Sequence, residues 1–563
     1  MAVIKSPTLF FITSPRSPAK MRPEIELLAR EFGGEKWNGN KDLQTRFMQR
    51  LAQLPEFEGA ASQSDPALSA RDRITRGPKA LGLVSLQKIA LTPAGRNFCD
   101  TDLFEEALLR QLLKFQLPSP FHKTNQTIGR SFWVRPYLEI LRLIHILGRL
   151  SFDELCLYGM QLTDYREFDS IVSAVRGFRM EKERRRGRYR AFLHQVRRET
   201  IKRLFADEIA AGKIKTRESA TIGLDKFVKT KASNLRDYGD ACLRYLRATG
   251  LVTITNPGRT ISIIESRRED VAYILNTVNR DPVFVQDEAA YCEHLFNEAT
   301  PVLLTDDRDA LNARAVQVHA VETEQDAAAA DAFELKKRIR RELAACRKSI
   351  IQAQLTELKS FDKYEDVLDA FSFIRKKEIY DPPLALEWNV WRAMAMMDGG
   401  NVMANLHFDD AGNPLSTASG NVADIVCDYG DFVVSVEVTL QSGSRQYDAE
   451  GEPVARHLGD PKTKTKKEAY CLFLAPKVSD SVISHFYVLH KTNVRHYGGK
   501  SVIVPLSIDR FKDMLAQAKS SGCVPAPDKI RAFFEYSKKA ADAAEDETDW
   551  HQKVSEKAGH WLE

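Results

Sequence analysis

The sequence predicts a multidomain α/β protein with an α+β amino-terminal half, a helical connector and a carboxy-terminal α/β domain. Three observations lead to that reading. At 563 residues the chain exceeds what one hydrophobic core organises, which calls for three or four domains. In the first half, two helical patterns are each followed by short alternating strands around a turn. The last third alternates strand-like apolar runs with helical ones, as when helices pack on a sheet. The expected boundaries are 1–165, 166–275, 276–375 and 376–563.

Leu9-Phe10-Phe11-Ile12 reads as a strand, because it is too short for a signal peptide and runs straight into Thr13-Ser14-Pro15-Arg16. A helical pattern follows from about Arg22 to Phe32. Ala70 to Val84 then reads as a helix closing on Leu81-Gly82-Leu83-Val84. Lys88-Ile89-Ala90-Leu91 and Thr92-Pro93-Ala94-Gly95 come after it. A helix with a short hairpin behind it is the pattern of a winged helix, whose helix enters a DNA groove while the wing touches the backbone. The pattern returns at Asn234 to Val252, where Thr253-Ile254-Thr255 and Thr260 to Ile263 flank the turn Asn256-Pro257-Gly258. Two such units in tandem make residues 1–275 an expected winged-helix-like recognition region. Residues 276–375 read as mainly helical, with a long charged pattern from Phe333 to Leu358, and carry no chemistry.

The net charge is only +5, so the distribution of charge says more than its sum. A basic stretch runs from Arg176 to Arg217 and contains Arg184-Arg185-Arg186-Gly187-Arg188-Tyr189-Arg190, whereas the tail after Ala540 is acidic. Concentrated positive charge suits a phosphate backbone, because each neutralised phosphate releases a counterion. No apolar run approaches the roughly 20 residues of a membrane span. The eight cysteines are scattered, without a CxxC pair or a zinc-like histidine spacing. They point to a reducing cytoplasm.

The sharpest signal lies between residues 385 and 510. Asp424-Ile425-Val426-Cys427 and Phe432 to Leu440 read as two strands joined by Asp428-Tyr429-Gly430-Asp431. With side chains alternating along a strand, Phe432, Val434, Val436, Val438 and Leu440 share one buried face, and Ser435, Glu437, Thr439 and Gln441 share the other. Asp424 begins one strand and Glu437 is late in its partner, so both carboxylates converge at one end. Two such acids form a hard-oxygen site suited to Mg²⁺, which can activate water and neutralise charge on a scissile phosphate. This is the Asp…Glu-x-Lys pattern of the restriction-type nuclease core, PD-(D/E)xK, with Thr439 in the lysine position. Glu387, in the helix pattern Leu386 to Arg392, can point a third carboxylate at the metal. Glu450 lies just past the strand in an acid-rich loop after Thr439, and His457 could position or deprotonate water. Lys462, Lys464, Lys466 and Lys467 stand available to phosphate, and Glu452 is read as a bystander. Ala469 to Leu474 and Ser501 to Leu506 read as further strands, the second leading into a helix near Ile508.

Along nearly its whole length the chain resembles the AlwI-like type IIS restriction endonucleases and their strand-specific nicking relatives. The likeness is carried by Ser14-Pro15-Arg16-Ser17-Pro18, Arg71-Asp72-Arg73, Arg110 to Ser119 and Arg244 to Leu251. In the last third it is carried by Glu387-Trp388, Glu437-Val438-Thr439, Glu452 to His457 and Tyr470 to Pro476. The resemblance implies recognition of a short asymmetric duplex site and Mg²⁺-dependent cleavage a few bases downstream. It places metal binding on Asp424, Glu437, Val438 and Glu450, and adds Glu387 and His457 to the catalytic set. Thr439 in place of lysine is shared by the family. Arg16, Arg71, Arg73, Arg76, Lys79 and Arg236 are the DNA-binding candidates, since arginine on guanine is the commonest specific contact. The expected partner is double-stranded DNA, bound by a monomer, with a transient dimer or a small second subunit for double-strand cleavage. Two other readings stand beside it: a nickase or large subunit of a heterodimeric enzyme, and a catalytically inactive winged-helix DNA-binding protein.

Overall fold

The computed structural model describes residues 2–4, 7–54, 57, 65–124, 132–185, 189–216, 222–255, 258–397, 399–417, 422–464 and 467–563. The expected turn residues Asn256 and Pro257, Arg186 to Arg188 of the basic run, Arg217 at its end, and Lys466 lie outside them. The chain divides into two units, Met1–Thr255 with Thr260–Ala345, and Asn256–Arg259 with Cys346–Glu563. The boundary between the units falls within the stretch expected at 276–375. The division falls inside the long helix Ala332–Leu358.

The first unit is mostly helical. Its helix ends are set locally by polar side chains: Asn40 accepts from the Leu43 amide at 3.0 Å, Asp65 from Leu68 at 3.0 Å and Thr92 from Gly95 at 2.9 Å. Helix Pro66–Arg76 precedes the hairpin Val84–Ser85 with Ala90–Leu91. Helix Leu224–Arg247 precedes the hairpin Val252–Thr255 with Thr260–Ile263. The helix-then-hairpin order expected twice is therefore present twice. Leu9 to Ile12 is a correction: it forms no strand. Leu9, Phe11 and Ile12 are buried, and Leu9 donates to the Met160 carbonyl at 2.8 Å. An apolar run of four can be buried by side-chain packing without a ladder partner. The amino-terminal strand is instead Ala2–Ile4, parallel to His122–Thr124.

In the second unit, helices α1 (Tyr364–Arg375) and α2 (Pro382–Met397) lead into strand β1 (Asn401–Ala404). A small hairpin, β2 (Leu406–Phe408) with β3 (Pro414–Thr417), intervenes before β4 (Ile425–Asp428) and β5 (Phe432–Val438). Then follow α3 (Ser444–Lys464), β6 (Glu468–Ala475), α4 (Asp480–Lys491), β7 (Ile503–Ser507) and helices α5 (Ile508–Ser520), α6 (Pro527–Ala543) and α7 (Glu547–Ala558). The sheet order is β7-β6-β5-β4-β1, with β7, β6 and β5 parallel and β5, β4 and β1 antiparallel. Parallel strands need crossover helices, which cover the sheet faces and explain continuous apolar strands such as Ala469 to Ala475. The second face of β5, carrying Ser435 and Glu437, is consequently buried as well. Trp391, Phe473, Phe486 and Trp550 fill the core around it.

Candidate active site

The β4–β5 hairpin decides where the acids go. Its register pairs Ile425 with Val436 and Asp428 with Val433, so one step beyond β4 Asp424 stands opposite Glu437. The backbone ties the two residues reciprocally. Asp424 Oδ2 accepts from the Val438 amide at 2.8 Å, and the Asp424 amide donates to the Glu437 carboxylate. The Asp424 carbonyl accepts from Asn405 at 2.8 Å, which fixes the entry to the strand.

Glu437 is 5 % exposed, and its Oε1 lies 2.7 Å from His457 Nδ1. Once Glu437 is ionised, as a bound cation would make it, Nδ1 carries the proton and donates, because a carboxylate only accepts. Burial, then Arg456, pushes the His457 imidazole below its usual range, so the ring is held neutral. Its Nε2 is buried without a protein partner. His457 and Glu450 both sit on α3, where the sequence alone was read as an acid-rich loop. Gly451, Pro453 and Pro461 read locally as breakers, yet Val454, Ala455 and Leu458 bury an apolar stripe that the sheet holds helical. Glu452 is exposed and pairs with Arg456 at 3.2 Å, as a bystander would.

Four carboxylates share one field. Burial, followed by Glu437, raises the Asp424 carboxyl well above its ordinary range; burial, followed by Glu450, does the same for Glu437. Glu387, on α2, is pushed up to about 9 by burial and then by Asp424, Asp381, Glu437 and Glu450. Burial raises Glu450 too, opposed by the Thr439 hydroxyl and by His457. Mutual repulsion among buried acids is what a divalent cation relieves, and carboxylate oxygens with a strand-end carbonyl are hard donors of the right kind. Among the described residues no three acids, histidines or cysteines stand close enough together to enclose an ion as they are. The residues fit such a cation by chemistry rather than by a closed cage.

Thr439 is where the pattern departs from lysine; its Oγ1 accepts from the Gln441 amide at 3.0 Å, close to the Glu450 carboxyl that its hydroxyl helps to lower. Sequence reasoning missed that role, and also missed Gln446 and the charge of Asp381 near Glu387. A threonine and a glutamine carry no signal in one sequence, although Asp381 just before Pro382 marks a helix start. The lysines expected at phosphate are otherwise engaged. Lys462 Nζ donates to the Lys500 carbonyl at 2.7 Å, and Lys464 pairs with Asp460 at 2.7 Å. Lys467 pairs with Asp428 at 2.8 Å, beside the first residue of β5. That is about 17 Å along the strand from Glu437, at the rise of an extended chain.

The DNA-binding candidates separate into two groups. Arg71 is exposed, Arg16 is 75 % exposed with Asp240 at 3.8 Å, and Arg76 pairs with Asp72 at 3.0 Å on the helix surface. Arg73 is bound to the buried Glu24 and lies over the Phe57 ring, Lys79 lies 4.4 Å from the Phe121 ring, and Arg236 pairs with Asp153 at 3.0 Å. Packing holds the second group. Exposed basic residues also line helices Phe168–Arg184 and Tyr189–Leu204, among them Arg176, Arg184, Arg185 and Arg190.

A mixed sheet whose central hairpin gathers acids at one end is the frame of a hydrolytic nuclease. The chain belongs to the AlwI restriction endonuclease family, whose profile matches residues 79–514. It is accordingly a restriction enzyme, a hydrolase that acts on DNA. No curated protein matches the chain. Among solved structures, the small subunit (R.BspD6I2) of the heterodimeric restriction endonuclease R.BspD6I is similar at 28% identity. That match covers 35% of this chain and 95% of the other, with a TM-score of 0.28. The BpuJ1 endonuclease binding domain, in a complex with pyrene- and phenanthrene-modified DNA, is similar at 12% identity. It covers 49% of this chain and 91% of that one, with a TM-score of 0.32. No helix among the described residues is long and apolar enough to cross a membrane.

Proposed function

We propose that the chain is a type IIS restriction endonuclease that recognises a short asymmetric duplex site and cuts a few bases downstream with Mg²⁺. Recognition belongs to two winged-helix-like parts, residues 1–165 and 166–275, and cleavage to a PD-(D/E)xK-type domain over 376–563, with 276–375 as connector. The observation that carries this reading is the cross-strand pair of a half-buried Asp424 and a buried Glu437 in a chain of the restriction family.

Asp424, Glu437, Glu450 and the Val438 carbonyl would hold the cation, which when bound supplies charge neutralisation at the scissile phosphate and an acidified water. His457 Nδ1 steadies Glu437 Oε1, and its buried Nε2 is left to receive a proton or a hydrogen bond from the reaction centre. Glu387 adds a fourth carboxylate from α2, and Thr439 holds Glu450. Arg16, Arg71 and Arg76 have the exposure to meet DNA, whether on bases or on phosphates.

A second reading keeps the same centre but cuts one strand only. It is favoured by the occurrence, among the described residues, of a single cross-strand Asp–Glu pair of this kind, Asp424 with Glu437, which attacks one strand per visit. Supercoiled plasmid incubated with Mg²⁺ or with EDTA separates the outcomes. Linear product supports the first reading, open circles that never become linear support the nickase or large-subunit reading, and an unchanged plasmid leaves a DNA-binding protein without cleavage.

A further inference from the structure

Glu450 has to reach the end of β5 from a helix that begins after an exposed crossing, Gln441 to Gly443. A chain of part-buried polar contacts spans that crossing. Thr439 Oγ1 accepts from the Gln441 amide at 3.0 Å, and the same hydroxyl lies near enough to the Glu450 carboxyl to lower it against the effect of burial. The Gln441 carbonyl accepts from Gln446 Nε2 at 2.9 Å, and the same Nε2 donates to the Lys477 carbonyl at 3.1 Å. Gln446 Oε1 accepts from the Ser479 amide at 2.7 Å. Gln446 is 0 % exposed, so one side-chain amide spends both donors and an acceptor tying the crossing to the loop between β6 and α4.

We propose that Thr439 and Gln446 are positioning residues: together they latch the start of α3 onto the end of β5 and so hold Glu450 where a divalent cation is to be bound. The inference rests on the reading of Glu450 as a metal-binding acid. It also accounts for threonine in the lysine position. Lysine has three donors and no acceptor, so it could not receive the Gln441 amide, which the threonine hydroxyl does. Gln446 must be an amide for a related reason, since a glutamate of the same length would set a charge against two carbonyls.

The test uses the full chain and two readouts. Mn²⁺ binding is followed by electron paramagnetic resonance of the free ion, and plasmid cleavage is titrated with Mg²⁺. Thr439→Val, which keeps the shape and removes the hydroxyl, should weaken Mn²⁺ binding about tenfold, the low end for loss of a group that orients a ligand. The Mg²⁺ needed for half-maximal cleavage should rise in the same proportion, while DNA affinity without divalent ions stays put. Gln446→Met should act in the same direction, and Thr439→Ser should recover binding to within about threefold of the parent. A Thr439→Val protein that is folded by circular dichroism and binds Mn²⁺ like the parent overturns the proposal. Glu450→Gln separates the two levels of the argument. If Glu450→Gln binds Mn²⁺ and cuts normally, the role of Glu450 itself is wrong. If it is defective while Thr439→Val is normal, only the latch fails.

Discussion

Glu387→Gln probes the crowding of the acids through stability rather than through activity. Burial, and then Asp424, Asp381, Glu437 and Glu450, raise the Glu387 carboxyl from 4.5 to about 9. An acid raised in the fold lends its stabilisation fully below the unfolded value, and loses it as pH climbs through the folded value. For Glu387 that loss runs from 4.5 to about 9. At neutral pH the folded group must keep a proton that the unfolded chain has already released, which corresponds to about 3 kcal/mol. The repulsion is mutual, so removing one charge lets Asp424 and Glu437 ionise more easily and returns part of that figure. The expected net gain for Glu387→Gln in metal-free protein is about 1–3 kcal/mol, or roughly 2–10 °C in Tm for a unit of this size. Differential scanning calorimetry in EDTA at about pH 8 and about pH 4 reads it, and the gain should nearly vanish at the lower pH because folded and unfolded states are then both largely protonated. Ca²⁺ should raise the parent more than the variant, since the ion offsets repulsion that the amide has already removed. A variant that melts below the parent at the higher pH, or by the same margin at both, refutes the reasoning.

Asp424→Ala and Glu437→Ala are each expected to abolish cleavage while site-specific binding in Ca²⁺ persists; a folded variant that loses specific binding in a gel shift would count against separate recognition and cleavage regions. His457→Ala should slow cleavage about 10- to 100-fold through loss of a hydrogen bond to a charged group, and a single-turnover rate equal to that of the parent would remove His457 from the mechanism. Lys114, buried against the Gln111 amide oxygen at 2.9 Å, is depressed to about 7 by burial and then by Arg110. Its contribution to stability is present above the unfolded value of 10.5 and fades as pH falls towards about 7. Denaturant titrations from about pH 7 to about pH 9.5 should therefore show the parent gaining on the order of 1–3 kcal/mol more than Lys114→Met, and parallel curves would refute it. Second-strand cleavage of a one-site plasmid should rise steeply with enzyme concentration while first-strand nicking saturates, and linear product formed at the same rate by a single bound enzyme, with no nicked species, would refute the need for a second nuclease domain.

The sequence by itself determined the local elements and the identity of the acids. The period-two run at Phe432 to Val438 and the polar turn before it made the hairpin legible, and a hairpin of that length puts Asp424 across from Glu437 whatever packs on it. The apolar run at Leu9 to Ile12 was misread because burial alone does not supply a ladder partner, and α3 was misread because its glycine and prolines break helices only when nothing packs against them. Tertiary structure decided the rest. It brought Glu450 and His457 back to the strand on one face of α3, packed Arg73, Arg236 and Lys467 into ion pairs, and gave Thr439 and Gln446 their partners. Those assignments depend on which polar group meets which across 10 to 40 residues of chain, as from Thr439 to Glu450 and from Gln446 to Ser479. Hydrophobic periodicity encodes the faces of helices and strands, but the pairing of buried polar groups is settled only when those faces close on one another.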